Sequence, residues 1–184
     1  MSYFAAAAVR DSAGWSASEV SLADAADIED VADRLREVEP AADVSLLFVE
    51  SDDAYLVIMR LDQGEDLRVF GSDAAFADDS RLGAILLGEV GGSDVDIAAA
   101  ELARGASDED LDDEDTSAAT TTPPVAAVAD ADPAGDVELL NDLGVPASRL
   151  LELCAQEGLL PADITAEICQ AIGAGDEIEE LREA

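Results

Sequence analysis

Cys154 and Cys169 are the only side chains here able to supply a thiolate nucleophile or a soft metal ligand, and neither has a histidine to work with, because the sequence holds none. A zinc site needs four such donors at close spacing, and a nucleophilic thiol needs a base beside it. Lying outside any C-x-x-C spacing, the pair reads as two small core residues on neighbouring helices, where reduced thiols usually sit. The other reactive groups are 44 Asp and Glu. Acids this abundant meet in pairs everywhere. Asp52 with Asp53 is one such pair, and without Lys, His or a placed Cys to share proton transfer it is assigned no general acid or base role. Asp108, Asp110 and Asp112 have the alternate spacing that opens an EF-hand loop, yet Asp113 stands where that loop requires Gly and Ala119 where it requires a bidentate Glu. Gly88, Gly91 and Gly92 fit no GxxxxGK[ST] pattern, and no Lys exists to reach a phosphate. The expectation is a protein with no catalytic residues, no metal and no cofactor, and not an enzyme.

Charge narrows the partners. Nine Arg against 44 acids leave 184 residues with a formal charge of −35. Bare nucleic acid is excluded as a direct partner, because affinity for phosphates comes from Lys and Arg displacing counterions. An anionic membrane surface repels the chain for the same reason. A basic protein surface attracts it. The charge is divided as −16 over residues 1–104, −9 over residues 105–135, which contain no base, and −10 over residues 136–184. No stretch approaches the ~20 apolar residues that cross a bilayer. The opening MSYFAAAAVR lacks a basic n-region and a long apolar run, so a cytoplasmic protein is expected, without disulfides.

The elements that would present these residues begin with an alanine-rich extended stretch at residues 3–9, a turn ending at Gly14, and alternation from Trp15 to Val20 that reads as the second strand of a hairpin. Ser21 and Asp24 have capping-box spacing, and Ile28, Val31, Leu35 and Val38 recur at helical intervals until Pro40. Three apolar runs follow at 44–50, 55–61 and 67–71, joined by short polar turns that favour antiparallel neighbours. The first two are apolar on both alternating faces, which suits central strands covered on both sides or partly by helix. Leu82, Ile85 and Leu86 mark a second helix, and Ser93 with Asp96 caps a third, ending near Arg104. All seven aromatics lie within residues 1–76, so the bulky core is N-terminal.

The predicted fold class is α+β: an antiparallel β-β-α-β-β-β sheet with helices on one face (residues 1–104), then a disordered acidic linker (105–135) and a small C-terminal helical unit (136–184). The linker carries an acidic block, a Thr run and a Pro pair without an aromatic, too little apolar surface to offset the entropy of ordering. After it, Leu139, Leu140 and Leu143 precede Gly144. Two further runs open at Pro146 and Pro161 and close at Gly158 and Gly173, matching the Pro-first, Gly-last punctuation of helices. A unit this small needs a surface to dock on. Candidate partner contacts are Trp15 and Tyr55, since aromatics anchor interfaces although core packing is their commoner role, together with the acidic run Asp108, Glu109, Asp110, Asp112, Asp113, Glu114 and Asp115.

The chain resembles the actinobacterial family of tRNA adenosine deaminase-associated proteins. The likeness is carried by YFAAAAVR with Gly14 and Trp15, by LLFVESDDAYLVIMRLD (46–62), by RVFGSDAA (68–75), by an acidic linker of variable length, and by the tail LLNDLGVPASRLLELCAQEGLLPADI. The resemblance implies an accessory role beside a zinc enzyme that converts the wobble adenosine of certain tRNAs to inosine, and it brings no catalytic or ligand residue with it. The chain is not that deaminase, which needs H-x-E and P-C-x-x-C elements. The expected function is a non-catalytic accessory protein that contacts a basic partner surface, that of the deaminase being the candidate. The alternative is an acidic scaffold or small-ligand-binding domain unrelated to tRNA, its charge set by environment or genome composition.

Overall fold

Four consecutive alanines, Ala5 to Ala8, are each at most 2 % exposed, and they sit in the strand that helices approach from both sides. A computed structural model of the chain describes residues 3–51, 54–88, 132–156 and 158–183. In it, β1 (Tyr3–Asp11) turns into β2 (Gly14–Glu19), followed by α1 (Ile28–Val38), β3 (Val44–Ser51), β4 (Tyr55–Asp62) and β5 (Asp66–Gly71). With a short strand β6 at Ala134–Gly135, the sheet order is β2-β1-β3-β4-β5-β6, antiparallel throughout. The α+β class and the β-β-α-β-β-β order are those expected. The sixth strand, β6 (Ala134–Gly135), lies in the stretch assigned to the linker and pairs with Phe70 and Gly71 at the far edge.

One face of the sheet presents Ala5, Ala7, Val9, Leu47, Val49, Val57, Met59 and Val69 to α1 and to α2 (Ala75–Asp79) and α3 (Arg81–Leu87). The period of two puts Ala6, Ala8, Val44, Leu46, Phe48, Leu56, Ile58 and Phe70 on the opposite face. Those residues are covered by the C-terminal unit: α4 (Ala147–Ala155), α5 (Pro161–Ile172) and α6 (Gly175–Glu183). The doubly apolar pattern of the central strands is thereby explained, with N-terminal helices on one face and the C-terminal unit on the other. Where α2 meets α3, a Cβ on Gly83 would lie 1.8 Å from Phe76 O, a contact only glycine permits.

Two local expectations are corrected. Helix α1 starts at Ile28, not near Ser21: the Asp27 carboxylate accepts from Asp30 N at 2.9 Å, and Asp30 accepts in turn from Ala26 N at 2.9 Å, closing the cap at this later point. Leu22 and Ala25, just upstream, are core residues of the connecting loop, where Leu22 N donates to Tyr3 Oη at 3.0 Å. Leu139, Leu140 and Leu143 form turns and one 3-10 turn (Asn141–Leu143), because Gly144, at φ 98°, ends the segment before a helix can extend. The helix expected at residues 93–104, the linker as far as residue 131 and the Asp52–Asp53 pair lie outside the described residues.

Candidate interaction surface

The arginines decide what the surface can offer. Among the described residues, all eight guanidiniums have partners within the chain. Arg10 lies 5.4 Å from the Trp15 ring centroid and Arg34 donates to Ser21 O. Arg36 donates to Gly64 O at 2.6 Å and pairs with Asp33, while Arg81 donates to Ala25 O at 3.1 Å. Arg149 reaches Glu167 at 3.3 Å, and Arg182 pairs with Glu50, donates to Ala162 O and lies 5.5 Å from the Phe4 centroid. Arg60 and Arg68 are tied into one network. The acids outnumber these cations several-fold, so what faces solvent is carboxylate in excess.

The network joins the sheet to the C-terminal unit. Arg60, 4 % exposed, points from β4 toward the face covered by that unit; its guanidinium donates to Asp62 Oδ1 at 2.7 Å, Asp142 Oδ2 at 2.7 Å and Leu139 O. Arg68 bridges Asp62 Oδ2 at 2.8 Å and Asp136 Oδ2 at 3.6 Å. Burial raises the Asp62 carboxyl, but hydrogen bonds from Arg60 and Arg68 outweigh it and hold the group below the usual range. The Arg60 hydrogen bond lowers Asp142 against its smaller desolvation. Arg60 is held more firmly protonated than a free guanidinium, chiefly by Asp142.

The aromatic candidates sit on opposite faces. Trp15, partly buried, packs against the cluster shared with the C-terminal unit, and a methyl placed on Gly173 would lie 3.9 Å from its Nε1. Tyr55 stacks on Phe76 with centroids 4.8 Å apart and donates its hydroxyl to Asp79 Oδ2 at 2.6 Å. That hydrogen bond raises the Tyr55 pKa, with a smaller push from burial. The acidic run Asp108, Glu109, Asp110, Asp112, Asp113, Glu114 and Asp115 lies outside the described residues. Sequence reasoning missed the Arg60 network, although a lone Arg inside the otherwise apolar YLVIMRL was its signal.

Cys154 on α4 and Cys169 on α5 both belong to the apolar cluster, and both are free thiols. Burial pushes each pKa up to about 12. Such thiols are protonated at neutral pH and serve neither as nucleophiles nor as ready metal ligands. In the native protein at pH 8, Ellman's reagent should react roughly a thousandfold more slowly than with an exposed thiol, and both sites should react at once in denaturant. Fast labelling of the folded chain would contradict this burial.

Two hollows remain. One, about 210 Å³, is lined mainly by Tyr3, Leu22, Ala25, Arg81, Leu82 and Ile85, smaller than the roughly 300–1,000 Å³ of small-molecule sites. The other, about 420 Å³ and wide open, lies beside the end of β2 between Glu19, Asp24, Arg34 and Glu37. Among the described residues no three Asp, Glu or Cys side chains are grouped to hold a metal ion. No helix among them is long and apolar enough to cross a membrane.

No curated protein and no solved structure matches the chain. A family model does, over residues 3–175, and its span takes in every described strand, both faces of the sheet and the helices up to α5. On that near-complete match the chain belongs to the family of Rv3753c-like tRNA adenosine deaminase-associated proteins.

Proposed function

We propose that the chain is a non-catalytic accessory protein that binds a tRNA adenosine deaminase through a basic surface of that enzyme. Family membership supplies the partner class. The observation that carries the reading is the internal commitment of all eight described arginines, which leaves an acid-rich exterior able to meet the Lys and Arg of a tRNA-binding groove. Carboxylates lying in that groove take the places of phosphates, so the protein competes with tRNA for the enzyme. It does so without being a nucleic-acid ligand itself.

A binding assay with the purified deaminase from the same genome tests this. Association should weaken about tenfold or more between 50 and 200 mM salt, because charge pairs across a wet interface are screened. The inosine-forming rate on tRNA should change when the acidic protein is present below saturating tRNA. No salt-sensitive association together with an unchanged rate would sink the reading.

A further inference from the structure

The two edges of the sheet are treated differently. At β5, β6 pairs with Phe70 and Gly71, and Asp136 N donates to Val69 O at 2.8 Å, so that edge is partly closed. At β2, among the described residues, nothing pairs on the outer side. Val20 N donates to Ala5 O at 2.9 Å, and by antiparallel alternation Ser18, Ser16 and Gly14 also face β1. The backbone N–H and C=O groups of Trp15, Ala17 and Glu19 therefore point away from the sheet. This edge, GWSASE, has no Pro and no Lys, and small side chains at Ser16, Ala17 and Ser18 leave its backbone accessible.

The surroundings say what fits there. On one face α6 packs against β2 and β1 and carries Asp176, Glu177, Glu179, Glu180 and Glu183 against a single base, Arg182, already held by Glu50. By the end of the strand lies the open hollow with Glu19, Asp24 and Glu37, whose one cation, Arg34, is committed to Ser21 O. A second copy of this chain would bring another −35 of charge to the same edge, a costly approach. An extended segment with Lys or Arg among its side chains satisfies both the backbone groups and the flanking carboxylates.

We propose that the β2 edge is where the basic partner docks, by adding an extended segment of its own as a further strand beside Trp15, Ala17 and Glu19; this rests on the reading of function above. Hydrogen bonds from the backbone would supply binding, and flanking acids the preference for a basic strand.

The purified deaminase is the probe. Ala17→Pro removes an outward N–H while leaving the β1 ladder intact, as edge positions tolerate proline, and should weaken binding about tenfold. In the unsubstituted protein, deaminase should slow exchange of the Trp15, Ala17 and Glu19 amides severalfold and leave Ser16 and Ser18 nearly unchanged, a readout independent of how the variant folds. Binding with normal exchange at β2, or with Ala17→Pro at full affinity, overturns the edge and leaves the function standing. Absence of any salt-sensitive binding together with an unchanged inosine-forming rate overturns both. Dimers of this chain that Ala17→Pro dissociates would assign the edge to a second copy and overturn the proposal.

Discussion

A chain ending at Gly135 is expected to form no soluble monomer. Removing residues 136–184 uncovers Val44, Leu46, Phe48, Leu56, Ile58 and Phe70, all at most 4 % exposed in the whole protein. At about 1.5–3 kcal/mol for each large side chain returned to water, the six alone represent roughly 9–18 kcal/mol. That is comparable to the whole stability of an ordinary domain, about 5–15 kcal/mol. The truncated chain should sediment as aggregate or bind a hydrophobic dye strongly, and adding residues 136–184 as a separate polypeptide should restore part of the soluble fraction. A cooperative urea transition in the truncated monomer would show that the N-terminal sheet does not depend on this cover.

Arg60→Met should cost about 2–3 kcal/mol. Its guanidinium serves Asp62, Asp142 and Leu139 O from a buried position, and breaking a buried pair is expensive because the partners left behind must find new hydration. The figure stays below the upper range for such pairs because Asp142 is 57 % exposed and reaches water unaided. Asp142→Asn should cost less, within about 1 kcal/mol, since Arg60 keeps Asp62 and the carbonyl. Both are read from urea midpoints at constant slope.

The pH dependence has a definite sign. Asp62 and Asp142 have folded pKa values depressed below the ordinary carboxylate value, so their stabilisation is present above about pH 4 and is lost as pH falls through the lower folded values. In Arg60→Met that acid-side loss should shrink. An acid limb identical in both proteins would show that the network does not set it.

Periodicity made most of the sheet legible. The strands at 44–51, 55–62 and 66–71 came from apolar runs bounded by polar turns, and the hairpin from the alternation after Gly14. The doubly apolar β3 and β4 suited cover on both sides or partly by helix, but nothing local in Leu139 to Leu143 said that this segment would supply part of a second cover. Contacts between residues as distant as Arg60 and Asp142 leave no trace in spacing. The two-residue β6 was illegible because its strand character comes from pairing with Phe70 and Gly71 and not from its own composition. Of the candidate contacts, Trp15 and Tyr55 were identifiable as scarce aromatics, whereas the open side of β2 became visible only once strand order was known.

Trp15, the only tryptophan in the chain, lies between the hairpin and the loop at Gly173, with the Arg10 cation over its ring. Its indole emission is therefore a built-in reporter of whether the C-terminal helices are seated, separate from the integrity of the sheet. Loosening of those helices around the ring would wet it and move its fluorescence maximum to longer wavelength, before their full detachment unfolds the sheet and changes the far-ultraviolet dichroism. One cuvette, with no label attached, can then distinguish loosening of the cover from melting of the protein beneath it.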